Sequence, residues 1–179
     1  FGNNDNNRQE LKIYKIPNPD SISADTITPG TIWFTYPEQK KFPPEDTKKN
    51  YDAEAIISFN NALYIFTKNR TVPFSGYTYL YKLPNVPGSY QAQLLDSFKT
   101  GAGLKEQWWI TGADISPDNK TLVLLSYDKM FVFTDFIGDN FFKGKVKQVQ
   151  LNSFTQKEAI VFISNNEFFV TDEFYSIFG

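Results

Sequence analysis

The 179-residue chain has no cysteine and no histidine. The first absence excludes disulfides, thiolate metal sites and cysteine nucleophiles; the second removes the commonest general base and zinc ligand. What remains is the chemistry of carboxylates, lysine, tyrosine, serine and threonine, together with oxygen-ligated calcium or magnesium. Arginine is scarce too. Arg8 and Arg70 stand against sixteen lysines, so the bidentate forks that grip phosphate are nearly missing. A formal charge of -2 gives no sequence-independent attraction to nucleic acid or to an anionic membrane, and nucleic acid is set aside as a partner. No apolar run approaches the roughly 20 residues of a membrane-spanning helix, and FGNNDNNRQE has neither the basic nor the apolar region of a secretory leader.

A helical stripe is the next thing lacking. No window of eleven or more residues keeps a 3.6-residue apolar period without a proline or a turn signal, and only 103–109 tolerates a helical turn. What is present instead is a series of short segments rich in aromatic and β-branched residues, bounded by Asn, Asp, Gly or Pro. ALYIFTK (62–68), YTYLYKL (77–83), TLVLLSY (121–127) and MFVFTDF (130–136) are of this kind. These read as strands, and the fold class is all-β.

The strands recur in order. EAIISFNNALYIFTKN (54–69) and EAIVFISNNEFFVTDE (158–173) say nearly the same thing, and GADISPDNKTLVLLSY (112–127) is a third copy that aligns Ala113 with Ala55 and Ala159. Asn60-Asn61 and Asn165-Asn166 suit two-residue hairpin turns that need positive φ, and Pro117-Asp118-Asn119-Lys120 suits a type I turn. The alanines are 58 and 46 residues apart. All-strand repeats of that length predict four-stranded antiparallel propeller blades.

Counting gives about three blade equivalents within one domain, 1–179. Residues 1–50 supply strands three and four of a preceding blade (LKIYKI, TIWFTY). Residues 51–107 form a full blade that ends on YQAQLLDSF (90–98), residues 108–155 a second, and residues 156–179 the first half of a further one. Four to eight blades close a ring, so the expectation is a larger propeller, whose remaining blades come from further sequence or from a second chain, with a sandwich that imitates the pattern as the other alternative.

ISPDNKTLVLLSY resembles the SPDGK-type blade hairpin of TolB-like and WD40-like propellers, with Asn119 where those usually carry glycine. FGNNDNNR, KIYKIPNP, YDAEAI, LYIFTKNR, YLYKLP, ITGADIS and the last EAI together resemble an uncharacterised family of secreted or surface-exposed bacterial β-propeller proteins, and more distantly the phytase-like propellers. The resemblance spans nearly the whole chain. It implies an extracellular or cell-surface setting, or the periplasm, and it implies no settled activity.

Candidate site residues follow from the blade reading. In a propeller the first strand of each blade lines the central channel, so acids at its start gather near the axis. Asp52, Glu54, Asp114 and Glu158 are the candidate metal ligands, with calcium the one cofactor left open, and hydrogen bonding at the channel rim the alternative. Lys68 and Arg70 are candidates either to receive an anionic group or to pair with Asp52 and Glu54. Trp108 and Trp109 point to opposite faces of the chain, so one can pack a blade interface while the other offers a stacking platform. FGNNDNNRQE has the oxygen content of a calcium loop without its spacing, and reads as a flexible loop. The leading function is a non-catalytic binding module for a protein or carbohydrate ligand. The alternative is a calcium-dependent phosphoesterase of the phytase-like type.

Overall fold

The computed structural model describes residues 2–173. Thirteen strands carry the chain: β1 (Leu11–Lys15), β2 (Gly30–Thr35), β3 (Asp52–Phe59), β4 (Ala62–Lys68), β5 (Tyr77–Pro84), β6 (Gly88–Gln91), β7 (Gln93–Lys99), β8 (Gly112–Ile115), β9 (Leu122–Leu125), β10 (Lys129–Thr134), β11 (Lys145–Gln150), β12 (Lys157–Phe162) and β13 (Phe168–Asp172). Four short 3₁₀ turns complete the secondary structure, one of them, Lys105–Gln107, inside the 103–109 stretch. The protein is all-β, as its periodicity predicts. Of the segment expected at 156–179, residues 174–179 lie outside the described residues.

The strands form four sheets. Sheet I has the order β1-β2-β6, sheet II β3-β4-β5-β7, sheet III β8-β9-β10-β11, and sheet IV is the pair β12-β13. Sheets II, III and IV are antiparallel throughout, because each strand follows its neighbour through a short connection. Asn60 and Asn61 take φ of 46° and 61° at the β3–β4 tip, the conformation that a two-residue hairpin demands. At the β8–β9 tip Pro117 opens the turn, and Asn119, with φ 61°, closes it under the Ser116 carbonyl.

Three expectations need correction. The third tip is not a two-residue turn: the β12–β13 ladder stops at Phe162 and Phe168, while Asn165 Oδ1 accepts the backbone N–H of Asp118 at 3.0 Å. That amide clasps the neighbouring hairpin instead of its own. The segment 90–98 is two strands, because Ala92 is buried and donates its N–H to Thr35 O at 2.9 Å. This break hands β6 to sheet I, where it pairs parallel with β2, and leaves β7 in sheet II. Lastly, Ala55, Ala113 and Ala159 all lie on first strands, but Ala113 faces the other way. β3 and β12 each carry a register shift, at Glu54 and Glu158, just before their alanines, and β8 has none. One extra residue on a strand turns everything beyond it to the opposite face.

Sheets II and III are apolar on both faces because each is covered on both. Leu63, Ile65, Tyr81 and Leu83 of sheet II meet Leu11, Ile32, Phe34 and Tyr36 from sheet I and its flank. The other face of sheet II, with Ala55, Ile57, Tyr64 and Phe66, meets Leu122, Leu124, Phe131 and Phe133 of sheet III. Val123, Leu125 and Met130 then cover Ile160 of sheet IV. The first strands β3, β8 and β12 run side by side in that order. Phe141, from the 3₁₀ turn Phe141–Lys143, fills the gap between sheets II and III with its ring 5.3 Å from Phe59, 5.2 Å from Tyr64 and 5.0 Å from Phe136. Removing so large a buried side chain loses its transfer energy and leaves a cavity, so Phe141→Ala is expected to cost about 3–5 kcal/mol in urea unfolding. Ile137→Ser, four residues away at a position 84% exposed, is expected to stay within about 0.5 kcal/mol.

Candidate functional site

β3 begins with Asp52, whose side chain has no exposure. A carboxylate so placed needs donors. Arg70, just beyond β4, gives it Nε at 2.8 Å, and the backbone N–H of Asn3 supplies a second. The same guanidinium reaches Asn4 Oδ1 at 2.8 Å through Nη2 and lies 3.7 Å from Glu54 Oε1. Lys68, also buried, places Nζ 4.0 Å from that oxygen. The strand pairing is the cause: Asp52 lies opposite Lys68, and the shift at Glu54 swings its carboxyl to the same mouth.

Glu54 is the group whose proton is set by this arrangement. Burial, and then the charge of Asp52 with a hydrogen bond between the two carboxyl groups, push it up to about 7, against the pull of Lys68 and Arg70. The acid is therefore poised near neutrality.

Trp109 roofs the cluster and is itself covered. Arg70 Cζ is 4.7 Å, and Lys68 Nζ and Lys105 Nζ are each 5.1 Å, from its ring centre, while Tyr127 stands edge-on at 6.3 Å. Its indole N–H donates to the Asn69 carbonyl. Burial and the charge of Glu158 push the Tyr127 phenol up. Trp108 turns away onto the core between sheets II and III, with Lys129 Nζ 4.1 Å over its ring and Gly101 beneath it. A Cβ at position 101 would lie 2.3 Å from that ring, which makes glycine obligatory there. Neither indole is thus an open stacking platform: protein occupies the faces that a ligand would need.

The four acids do not converge on one centre. Asp114 Oδ2 accepts the Phe162 N–H at 2.7 Å and so ties β8 to β12, and Glu158 accepts from Gln156 Nε2 at 3.0 Å. Among the described residues no three acids form a group able to hold a metal. Asp52 and Glu54 do come together, with Lys68 and Arg70 as their partners.

Residues 2–10 depart from their reading as a flexible loop; Phe1 of that segment lies outside the described residues. Asn3 and Asn6 are buried; Asn6 Oδ1 accepts the Tyr51 N–H at 2.8 Å, and Gln39 Nε2 donates to the Asn6 carbonyl at 2.6 Å. Asn6 takes φ 54°, which asparagine tolerates because its short amide bonds locally. Tyr36 is the other member that composition did not single out. Its hydroxyl is buried without a hydrogen-bond partner, and burial together with the Asp52 charge pushes its phenol strongly up.

These shifts have a measurable sign. The folded value of Glu54, about 7, lies above its ordinary 4.5, so its contribution to stability is full below pH 4.5 and is lost as pH rises through 7. Glu54→Gln should therefore melt with the native chain at pH 5 and above it at pH 8, by about 2–4 °C for each kcal/mol recovered. Arg70→Met strands the Asp52 charge and should cost about 3–5 kcal/mol at pH 7. No family of known proteins, no curated protein and no solved structure matches this chain.

Proposed function

We propose that the four sheets are blades of a β-propeller and that the chain is a non-catalytic binding module of a secreted or surface-exposed bacterial protein. Support for the blades is the succession of antiparallel sheets stacked face to face with their first strands adjacent. Support for binding without turnover is the state of the polar groups at the mouth. Asp52 is engaged by Arg70, and the Thr67 hydroxyl donates to Asn50 Oδ1 at 2.6 Å and not to either acid, so Thr67 is not paired with a base there.

The observation that carries the reading is Glu54, held near neutrality between Lys68 and Arg70. A ligand carboxylate can take over those cations when Glu54 accepts a proton, since protonation removes the competing charge. Affinity then rises as pH falls through 7. Both an acidic oligosaccharide and an acidic peptide have this chemistry, so calorimetric titration with a galacturonate oligomer and with a glutamate-rich peptide separates them.

From pH 8 to pH 6 the binding constant of one of the two probes should rise about tenfold, the effect of one proton per pH unit over the titrating range. Glu54→Gln should bind at the acid-limit strength at both pH values. Binding of neither probe, or binding with no pH dependence in the native chain, would overturn the reading.

A further inference from the structure

Sheets II and III have four strands each, whereas sheet IV has two among the described residues and β1 forms one edge of sheet I. The second strand shows what is lacking. In sheets II and III it is buried at every position, as seven residues of β4 and four of β9. β13 stands in the same place, opposite its first strand, yet Phe168 is 37% and Phe169 60% exposed. Each sheet ends in two edge strands, and on the blade pattern those of β13 and β1 are the ones that a third and a second strand would continue.

β1 and β2 present the complementary half. They follow one another antiparallel, as third and fourth strands do, and their inner face already packs on sheet II through Leu11, Ile32 and Phe34. Beside β1, where first and second strands would lie, there is an open cleft of about 670 Å³ lined by Arg8, Glu10, Lys12, Ile13, Tyr14 and Ile56. The opposite face of β1-β2 leaves Tyr14 63% and Trp33 37% exposed. Placing a β12-β13 pair in the cleft covers both faces at once. Val161 and Phe169, on the open side of sheet IV, meet Ile56, while Tyr14 and Trp33 come over the outer strands of the sheet III that accompanies the pair.

Charge agrees with this placement. Residues 157–173 carry Lys157 against Glu158, Glu167, Asp172 and Glu173, a net charge of -3, and residues 8–16 carry Arg8, Lys12 and Lys15 against Glu10, a net charge of +2. With β13 antiparallel to β1, as second and third strands are elsewhere in the chain, a register that sets Glu167 beside Lys15 brings Asp172 and Glu173 to residues 9–10, where Arg8 and Lys12 flank Glu10.

We infer that the occupant is a second copy of this chain: β12-β13 of each copy adds to β1-β2 of the other to complete the four strands of a blade, with the parallel β6 as a fifth strand at its outer edge. This rests on the blade reading above. Each copy brings two whole sheets, and the pair shares two more, so two copies close a ring of six, inside the range in which such rings close. Two-fold symmetry makes both junctions identical and leaves no edge for further growth.

Sedimentation equilibrium on the 179-residue chain should give twice its 20.6 kDa mass. Because the chain is free of cysteine, Thr171→Cys and Ile13→Cys can be mixed and treated with a short thiol-reactive crosslinker; they should join to each other and neither to itself. Phe169→Asp, a change at an exposed position that should leave the monomer folded by circular dichroism, should weaken the dimer at least tenfold. A monomer at ~100 µM would overturn the second copy and leave the blades standing, as would a mass that grows without limit with concentration. Thr171→Cys linking to itself would overturn both. The binding reading is scored separately, by the pH dependence at Glu54.

Discussion

Everything in this chain follows from β4 being buried at all seven of its positions. A strand can be covered on one face by packing and stay wet on the other; β4 is covered on both, so its sheet needs a neighbour on each side. Leu63 and Ile65 are satisfied by sheet I, and Tyr64 and Phe66 by sheet III. Sheet III inherits the requirement, since its own second strand, LVLL of β9, is a continuous apolar run and not an alternating one. The aromatic content is the means. Rings meeting edge to face at 5–6 Å fill the wedge between successive sheets with few side chains.

The apolar packing gives way at one end of the first strands to a polar cluster of unusual density. There the chain spends a buried Asp52, a buried Lys68 and the side chains of Asn3 and Asn6 on holding a single surface in shape. Arg70 is the hinge of that arrangement: it answers the charge of Asp52, touches Asn4 and lies over Trp109. Interactions of this kind contribute little net stability but fix geometry, because a misplaced member would leave a charge unsolvated.

Much of the fold was legible because it is local. Strand periodicity, the Asn60-Asn61 and Pro117 turns, and the recurrence of EAI are short-range signals, and β4, β5, β9, β10 and β11 lie within a residue or two of where composition places them. The meeting of Asp52 and Glu54 with Lys68 and Arg70 was legible for the same reason, since one hairpin carries all four. What escaped depends on partners far along the chain. Asn165 serves Asp118, forty-seven residues away; Ala92 serves Thr35; Asn3 reaches Asp52. Side-chain exposure escaped as well: nothing in the letters WW tells that Lys68, Arg70 and Lys105 would close over the second indole.

The register shifts at Glu54 and Glu158 have a consequence for how such a chain can change over time. Each inserts one residue between the part of a first strand that faces the polar mouth and the part that packs between sheets, so that Ala53 turns to one neighbour and Ala55 to the other. The two halves of the strand are thereby uncoupled in phase. A change of residue on one side of the shift therefore leaves the phase of the other side untouched, and β8, which has no shift, keeps its place in the stack while its acid, Asp114, bonds to β12.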